Sequence, residues 1–234
     1  MQTSTTFVLV PGFWLGAWAW DAVAAALRAA GHRAVPVTLP GLDPDDPQRA
    51  AATVPDQAEY LRGVIAEADG PVALVAHSGA NLPTSVLLDQ DPAAVARVIY
   101  VDSGPVADGA GFDPSVPADL AELPLPPFDQ LQASLDGLDE GTLRTFRERA
   151  VPEPGAVLRE PVHLRNDARR DVPTTIVACS YPSELMLKLA REGNPMMAET
   201  ATLRDLDVVD LPTGHWPMWS RPADLATAIA DAAS

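Results

Sequence analysis

The sequence predicts an α/β fold in which helices cover both faces of a mostly parallel sheet. Short apolar runs typical of buried strands alternate along the chain with segments that repeat apolar residues at helical spacing. The apolar runs are continuous and do not alternate with polar residues, as expected when both faces of a sheet are covered. The length of 234 residues suits one sizeable domain.

The predicted core elements follow one another in a regular order. Four strands are predicted at residues 7–10, 34–39, 72–75 and 98–101. Three helices are predicted between them, at residues 18–30, 56–68 and 82–89. Gly31 closes the first helix, as glycine commonly does. The core resumes with strands at residues 174–178 and 208–211 and ends in a helix at residues 221–233, which has Pro222 in its first turn.

The alternation lapses between residues 103 and 170, where prolines are frequent. Such a segment is too long for a loop in a compact domain, and its Leu, Phe and Val content argues against disorder. We therefore predict a cap over residues 103–170, inserted into an α/β core of residues 1–102 and 171–234. The pattern predicts two short helices within the cap, at residues 128–135 and 140–149.

Composition and charge exclude several classes of partner. The formal net charge of -16 disfavours nucleic acids and anionic membranes, because both bind basic patches. No apolar stretch approaches the roughly 20 residues that span a bilayer. The single cysteine, Cys179, and an N-terminus without a basic leader region predict a cytoplasmic protein. Neither a nucleotide-binding glycine fingerprint nor an ordered set of metal ligands occurs, so we expect no cofactor and no metal; the oligomeric state is left open.

One short stretch, PVALVAHSGANLP at residues 71–83, leads a buried strand straight into a serine. A strand that passes into a helix through a tight turn forces unusual backbone angles on the corner residue, so the positions two residues before and after it must be small. Ala76 and Ala80 occupy these positions around Ser78. The pattern is that of a nucleophile elbow, G-x-S-x-G, with alanine in place of both outer glycines.

The chain resembles the α/β-hydrolase superfamily over nearly its whole length. The residues that carry the resemblance are the elbow, the segment VPGFWLGAWAWD after the first strand and the segment LPTGHWPMW after the last. The small esterase and hydroxynitrile-lyase-like branch is the most similar one. That branch usually has His-Gly where this chain has Pro11 and Gly12, but the family uses the backbone of this loop more than that side chain.

The resemblance implies catalytic roles for four residues. Ser78 is the expected nucleophile, and His215, which follows the last strand, is the expected general base. The backbone N–H groups of Gly79 and Phe13 are expected to form the oxyanion hole.

The pattern leaves the acid partner of His215 open. The fold requires the chain order Ser, acid, His. Asp102 ends the fourth strand, where side chains emerge at the active face, whereas most relatives carry the acid one strand later; there this chain offers only Glu184. We favour Asp102, because Glu184 follows a predicted helix start, where an acid more often serves as a first-turn charge. The absence of a working acid is the third alternative.

These residues predict a serine hydrolase that cleaves a carboxylic ester or lactone of a small apolar molecule through an acyl-enzyme. Trp14 and Trp216 are candidates for lining its apolar pocket. A lyase on the same fold is one alternative, although such relatives usually carry a lysine near the acid and Lys188, the single lysine, lies further along the chain. A non-catalytic binder of small molecules is the other, because the position of the acid is atypical.

Overall fold

The computed structural model describes residues 5–233. Its strands, in chain order, are β1 (Thr6–Val10), β2 (Arg33–Pro36), β3 (Val72–His77), β4 (Arg97–Val101), β5 (Glu122–Leu123), β6 (Glu153–Pro154), β7 (Thr174–Ala178) and β8 (Leu206–Asp210). Six of them form a parallel sheet in the order β2-β1-β3-β4-β7-β8. The remaining two, β5 and β6, pair antiparallel in a small separate sheet. The predicted α/β fold with a mostly parallel sheet is confirmed.

The helices of the described chain include those that the apolar periodicity predicts for the core. They are α1 (Asp21–Ala29), α2 (Val54–Ala66), α3 (Asn81–Gln90), α4 (Glu140–Arg149), α5 (Gly155–Arg159), α6 (Ser183–Arg191), α7 (Pro217–Ser220) and α8 (Pro222–Ala232). Helix α2 begins earlier than predicted because Thr53 and Asp56 form a reciprocal capping box, which satisfies backbone N–H groups at the start of the helix. None of the helices in residues 5–233 is long and apolar enough to cross a membrane.

The core lies on both faces of the six-stranded sheet. Phe7 and Leu9 of β1 pack in one apolar cluster, and Val8 and Val10 pack in another on the opposite face, because successive side chains of a strand alternate. Helices α1 and α8 contact each other on one face, and α2 and α3 contact each other on the other. A strand that packs against helices on both faces must be apolar at successive positions, as the apolar runs in the sequence predict.

Other predicted elements also differ from the observed ones. The first helix opens with a 3-10 turn, Ala17–Trp20, before α1 begins. The second strand ends at Pro36 and does not extend to residue 39; beyond it, the Thr38 hydroxyl accepts the N–H of Ala17. The helix predicted over residues 128–135 is wrong: only a 3-10 turn forms, Phe128–Gln130, since the backbone becomes extended at the next residue.

The carboxyl ends of β1, β3, β4 and β8 meet at one edge of the sheet, where ligands bind in open α/β sheets. Segment 103–170 contacts the loops at this edge: the indole N–H of Trp14 donates to Leu123 O, and the N–H of His215 donates to Ser134 O. The division into a core and a cap stays a prediction. Residues 1–4 and Ser234, which the predicted core segments include, lie outside the described residues.

Candidate active site

Ser78 stands at the corner between β3 and α3. Its φ of 51° lies in the left-handed region, which non-glycine residues rarely adopt, and a 3-10 turn, Ser78–Ala80, leads into the helix. Ala76 and Ala80 are buried on either side of the corner. The tight turn therefore presents the serine at the sheet edge, as the small flanking residues predict.

Two glycines allow the loop after β1 to approach this corner. A Cβ atom on Gly12 would lie 2.8 Å from the Cβ of Ser78, and one on Gly79 would overlap the ring of Phe13. Neither position has room for a side chain unless its neighbours shift. The Gly12 backbone thus packs against the Ser78 side chain, and the Phe13 ring packs against the Gly79 backbone.

His215 connects this serine to a carboxylate. The Ser78 hydroxyl donates to Nε2 of His215 at 2.8 Å, and Nδ1 of His215 donates to Oδ2 of Asp102 at 2.5 Å. The histidine backbone is held at both ends: its N–H donates to Ser134 O at 2.8 Å, and its carbonyl accepts from Nε2 of His77 at 2.7 Å. The ring therefore has little freedom to leave the line between the hydroxyl and the carboxylate.

Asp102 is fixed by donors other than His215. Its Oδ1 accepts the backbone N–H groups of Cys179 and Ser180 at 3.1 and 2.8 Å, and its Oδ2 accepts the Ser180 hydroxyl at 2.6 Å. Burial alone would raise the pKa of Asp102, but the hydrogen bonds and charge of His215 and the bonds from Ser180 outweigh it and lower that pKa. The carboxylate is consequently ionised at neutral pH.

The two residues that supported competing interpretations lie elsewhere. Glu184 is exposed in the first turn of α6 and does not line the pocket around Ser78. Lys188 is exposed on the same helix, with its Nζ 4.0 Å from a carboxylate oxygen of Glu192. Neither the alternative acid nor the lysine that a lyase would use is brought to the serine.

An apolar cavity of about 480 Å³ opens above Ser78. The apolar side chains that line it are aromatic, aliphatic or thioether groups: Phe13, Trp14, Phe112, Leu131, Ile176, Met186, Met196, Met197 and Trp216. The titratable residues in its wall are His77, Asp102, Tyr181 and His215; no lysine, arginine or glutamate lines it within the part of the chain that the structure describes. The cavity suits an uncharged ligand.

The predicted pocket residues all reach this cavity. Trp14 and Trp216 line it, as do Phe13 and Gly79, whose N–H groups are the expected oxyanion donors. Trp216 is buried and packs edge-on against the His215 ring, with centroids 4.9 Å apart. The functional roles assigned to these residues stay predictions.

Sequence reasoning missed several residues of the site. Phe112, Tyr181 and Met196 are more than half exposed and form the mouth of the cavity. The apolar pair Met196 and Met197 in an otherwise polar stretch was a usable signal, because unexplained exposed methionines often mark binding surfaces. Ser180 carried no such signal.

His77, next to the serine in sequence, turns away from it. It is buried, and burial together with the charge of His215 lowers the pKa of His77 to about 3. The ring is therefore neutral, with its proton on Nε2, where it donates to the His215 carbonyl. This residue acts on the backbone of His215 and does not take part in the chain of hydrogen bonds from Ser78 to Asp102.

Three non-glycine residues of the described chain have left-handed backbone angles: Trp14 (φ 64°), Ser78 (φ 51°) and Asp102 (φ 46°). All three follow carboxyl ends of sheet strands and line the same cavity. Such angles typically cost about 1–3 kcal/mol each and persist only where surrounding contacts hold them.

A second buried carboxyl lies behind the site. Glu153 in β6 is only 1% exposed, and its Oε2 accepts the backbone N–H of Trp14 at 3.0 Å. Burial raises the pKa of Glu153 from its usual 4.5 to about 8, and the bond from Trp14 offsets only part of that effect. The side chain is therefore mostly protonated and neutral near pH 7.

We expect the Glu153→Gln variant to gain stability relative to the wild type as the pH rises from 4.5 to about 8. In this interval the carboxyl ionises in the unfolded chain but stays protonated in the folded chain, so the wild type loses stability. Glutamine does not titrate, and the accumulated difference in the free energy of unfolding is on the order of a few kcal/mol. Urea denaturation of both proteins at about pH 5 and about pH 9 measures it. An equal difference at both pH values would contradict a protonated, buried Glu153.

Comparison with known proteins agrees with this geometry. Residues 7–228 match the family model described as the alpha/beta hydrolase family. Esterase PIR7B of Oryza sativa subsp. japonica is 35% identical over 100 residues, which cover 41% of this chain and only 37% of that protein. The carbendazim hydrolyzing esterase of Nocardioides sp. (strain SG-4G) is 27% identical, covering 96% of this chain and 98% of its own length.

Solved structures show the same fold. An extracellular alpha/beta-hydrolase from a Paenibacillus species superposes with a TM-score of 0.76 at 18% identity, covering 98% of each chain. A pyrethroid hydrolase from Sphingobium faniae JZ-2 superposes with a TM-score of 0.70 at 22% identity, covering 99% of this chain and 98% of its own. The predicted resemblance to the esterase-like branch is confirmed by the named esterases among the relatives. Since the family model spans nearly all of its 234 residues, the chain belongs to the α/β-hydrolase family.

Proposed function

We propose that the protein is a serine hydrolase of carboxylic esters. The observation that carries the proposal is the continuous line of hydrogen bonds from the Ser78 hydroxyl through His215 to Asp102, with distances of 2.8 and 2.5 Å. A nucleophile within hydrogen-bond reach of a base that a third group orients is the arrangement that covalent catalysis needs. The relatives support the same class of reaction, since several are named as esterases.

The first half-reaction transfers the acyl group to the serine. As Ser78 Oγ adds to the ester carbonyl carbon, its proton moves to Nε2 of His215. Asp102 keeps the other ring proton on Nδ1 and stabilises the imidazolium that forms. The N–H groups of Phe13 and Gly79 stabilise the negative oxygen of the tetrahedral intermediate. When that intermediate collapses, the carbon–oxygen bond to the alcohol breaks, and His215 gives its proton to the departing alkoxide.

The second half-reaction releases the acid. Water loses a proton to Nε2 of His215 as its oxygen adds to the acyl carbon. Collapse of the second tetrahedral intermediate breaks the bond to Ser78 Oγ, and the histidine returns the proton to that oxygen. The two half-reactions together consume the ester and one water and return Ser78 and His215 to their starting protonation states.

The substrate is proposed to be a neutral, apolar ester or lactone that fills the cavity above Ser78. We further propose that residues 103–170 act as the cap, because Phe112, Leu131 and Ser134 of that segment line the cavity. A charged substrate group would be buried there without a partner of opposite sign, and a net charge of -16 disfavours anionic substrates from a distance.

We therefore expect a neutral ester to be hydrolysed at least about tenfold faster, in kcat/KM, than an anionic ester of similar size, since desolvating an unpaired carboxylate costs more than about 1.4 kcal/mol. Initial rates with p-nitrophenyl butyrate and p-nitrophenyl hemisuccinate measure the ratio, and both esters release the same alcohol. Equal values of kcat/KM would contradict a neutral substrate class.

Active-site labelling tests the proposed reaction itself. A fluorophosphonate phosphonylates a serine that is activated by a base, so we expect one adduct, located on Ser78 by peptide mass spectrometry. Heat-unfolded protein should give no adduct, and Ser115→Ala, which removes an exposed hydroxyl on segment 103–170, should label like the wild type. Failure of the folded wild-type protein to label would overturn the proposal and favour a non-catalytic binding protein.

A further inference from the structure

The tight turn after β1 carries a strained residue. The N–H of Leu15 donates to the carbonyl of Gly12 at 3.3 Å, which closes a four-residue turn with Phe13 and Trp14 at its centre. Trp14 occupies the third position with a φ of 64°. Turns with a positive φ at this position normally place glycine there, so a tryptophan requires contacts that hold it.

Three hydrogen bonds to segment 103–170 supply those contacts. The backbone N–H of Trp14 donates to Oε2 of Glu153, its carbonyl accepts the N–H of Val151, and its indole N–H donates to the carbonyl of Leu123, each at 3.0 Å. Two of the three bonds use backbone atoms of the segment. Glu153 supplies the only side chain among these partners.

Within residues 5–233, the Glu153 carboxyl forms no ion pair. It is buried to 1% exposure, and the guanidinium in the neighbourhood of its small sheet, that of Arg49, binds Glu122 on the adjacent strand at 3.0 Å instead. Burying a carboxyl group costs free energy that an apolar side chain of the same size would not. Its hydrogen bond to the Trp14 N–H is therefore the feature that distinguishes it from such a side chain.

We propose that Glu153 is a positioning residue of the oxyanion hole, acting through the peptide bond between Phe13 and Trp14. By accepting the Trp14 N–H it holds the strained turn in one orientation, and this keeps the preceding N–H, that of Phe13, directed at the substrate oxygen. Without the acceptor, the Trp14 N–H loses its partner and the turn relaxes away from the positive φ. The inference rests on the proposed ester hydrolysis.

Loss of the Glu153 carboxyl is expected to slow the chemical step and to leave substrate binding nearly unchanged. Removing one oxyanion donor outright typically lowers kcat by about 10²–10³, and displacing it costs part of that. For Glu153→Leu we therefore expect kcat to fall by about 10–100-fold while KM changes by less than about threefold. Glu153→Gln keeps an acceptor oxygen in the same place, so its kcat should stay within about threefold of the wild type.

The experiment compares these two variants with Glu122→Gln. The control removes a carboxylate from the neighbouring strand of the same small sheet but touches neither Trp14 nor the cavity. For each protein we would measure kcat and KM for p-nitrophenyl butyrate and the affinity for a trifluoromethyl ketone, which forms a tetrahedral adduct with an active serine. The affinity for the ketone should fall in parallel with kcat in Glu153→Leu and stay unchanged in Glu122→Gln.

Two outcomes would overturn the inference: a folded Glu153→Leu protein with wild-type kcat, or equal losses of kcat in the Leu and Gln variants. If the Leu variant does not fold, Glu153→Met, which keeps the unbranched shape without the carboxyl, takes its place under the same criteria. Failure of the inference leaves fluorophosphonate labelling of Ser78 intact. Failure of the proposed function abolishes labelling in the wild type as well.

Discussion

Replacing Ser78 by alanine is expected to lower kcat for ester hydrolysis by on the order of 10⁶. Within residues 5–233, the Ser78 hydroxyl is the group hydrogen-bonded to Nε2 of His215, at 2.8 Å, so its removal leaves the base with no nucleophile to activate. Hydrolysis of p-nitrophenyl acetate, followed by absorbance, measures the loss.

The fold should survive this substitution. Alanine is smaller than serine, and the corner at residue 78 keeps its small neighbours, so the circular dichroism spectrum should match that of the wild type. Ser115→Ala serves as the control for serine replacement in general. A folded Ser78→Ala protein that turns over the ester at the wild-type rate would show that another group carries out the attack.

The Asp102→Asn variant should lose about 10⁴ in kcat and remain folded. The amide retains an oxygen for the backbone N–H groups of Cys179 and Ser180, so the loop keeps most of its support. Its NH₂ group, however, is a donor that faces Nδ1 of His215. The ring must then carry its proton on Nε2, where it can no longer accept the proton of the serine hydroxyl.

Glu184→Gln provides the matched control for this carboxylate. It removes the other acid considered from the sequence, which is exposed on α6, and we expect less than a tenfold change in kcat because surface charges act weakly at a distance. The pair of variants decides between the two acids. A large loss in Glu184→Gln together with a small loss in Asp102→Asn would refute the proposed role of Asp102.

The sheet and the elbow could be predicted because their signals are local. Buried parallel strands must be apolar along their whole length, and the corner residue Ser78 must have small neighbours two positions away, so each pattern is contained in fewer than about ten residues. His215 could be predicted for a related reason, since its place after the last strand follows from the chain order that the fold requires. The structure brings these residues together as that order implies.

Most of the residues that line the cavity and those that hold its loops in place could not be predicted, because their positions depend on contacts between distant parts of the chain. Glu153 and Trp14 are 139 positions apart, and nothing in the segment VPEPG shows that its glutamate is buried. The helix predicted over residues 128–135 failed for a similar reason. Apolar residues at near-helical spacing there pack against the core from an irregular backbone, whose Ser134 carbonyl is taken by the N–H of His215.

The left-handed backbone angles at Trp14, Ser78 and Asp102 lower the stability of the fold at positions that the proposed activity needs. Selection for stability and selection for activity are therefore expected to favour different residues at these positions. The conformational free energy stored at these positions, about 1–3 kcal/mol each, is a sizeable share of the 5–15 kcal/mol that holds a typical domain folded. If variants are selected in the laboratory for thermal stability alone, glycine is therefore expected to replace Ser78, and such variants are expected to lose activity. A thermostable variant that retains activity is expected to carry its stabilising substitutions in the helices and at the edge of the sheet opposite the site.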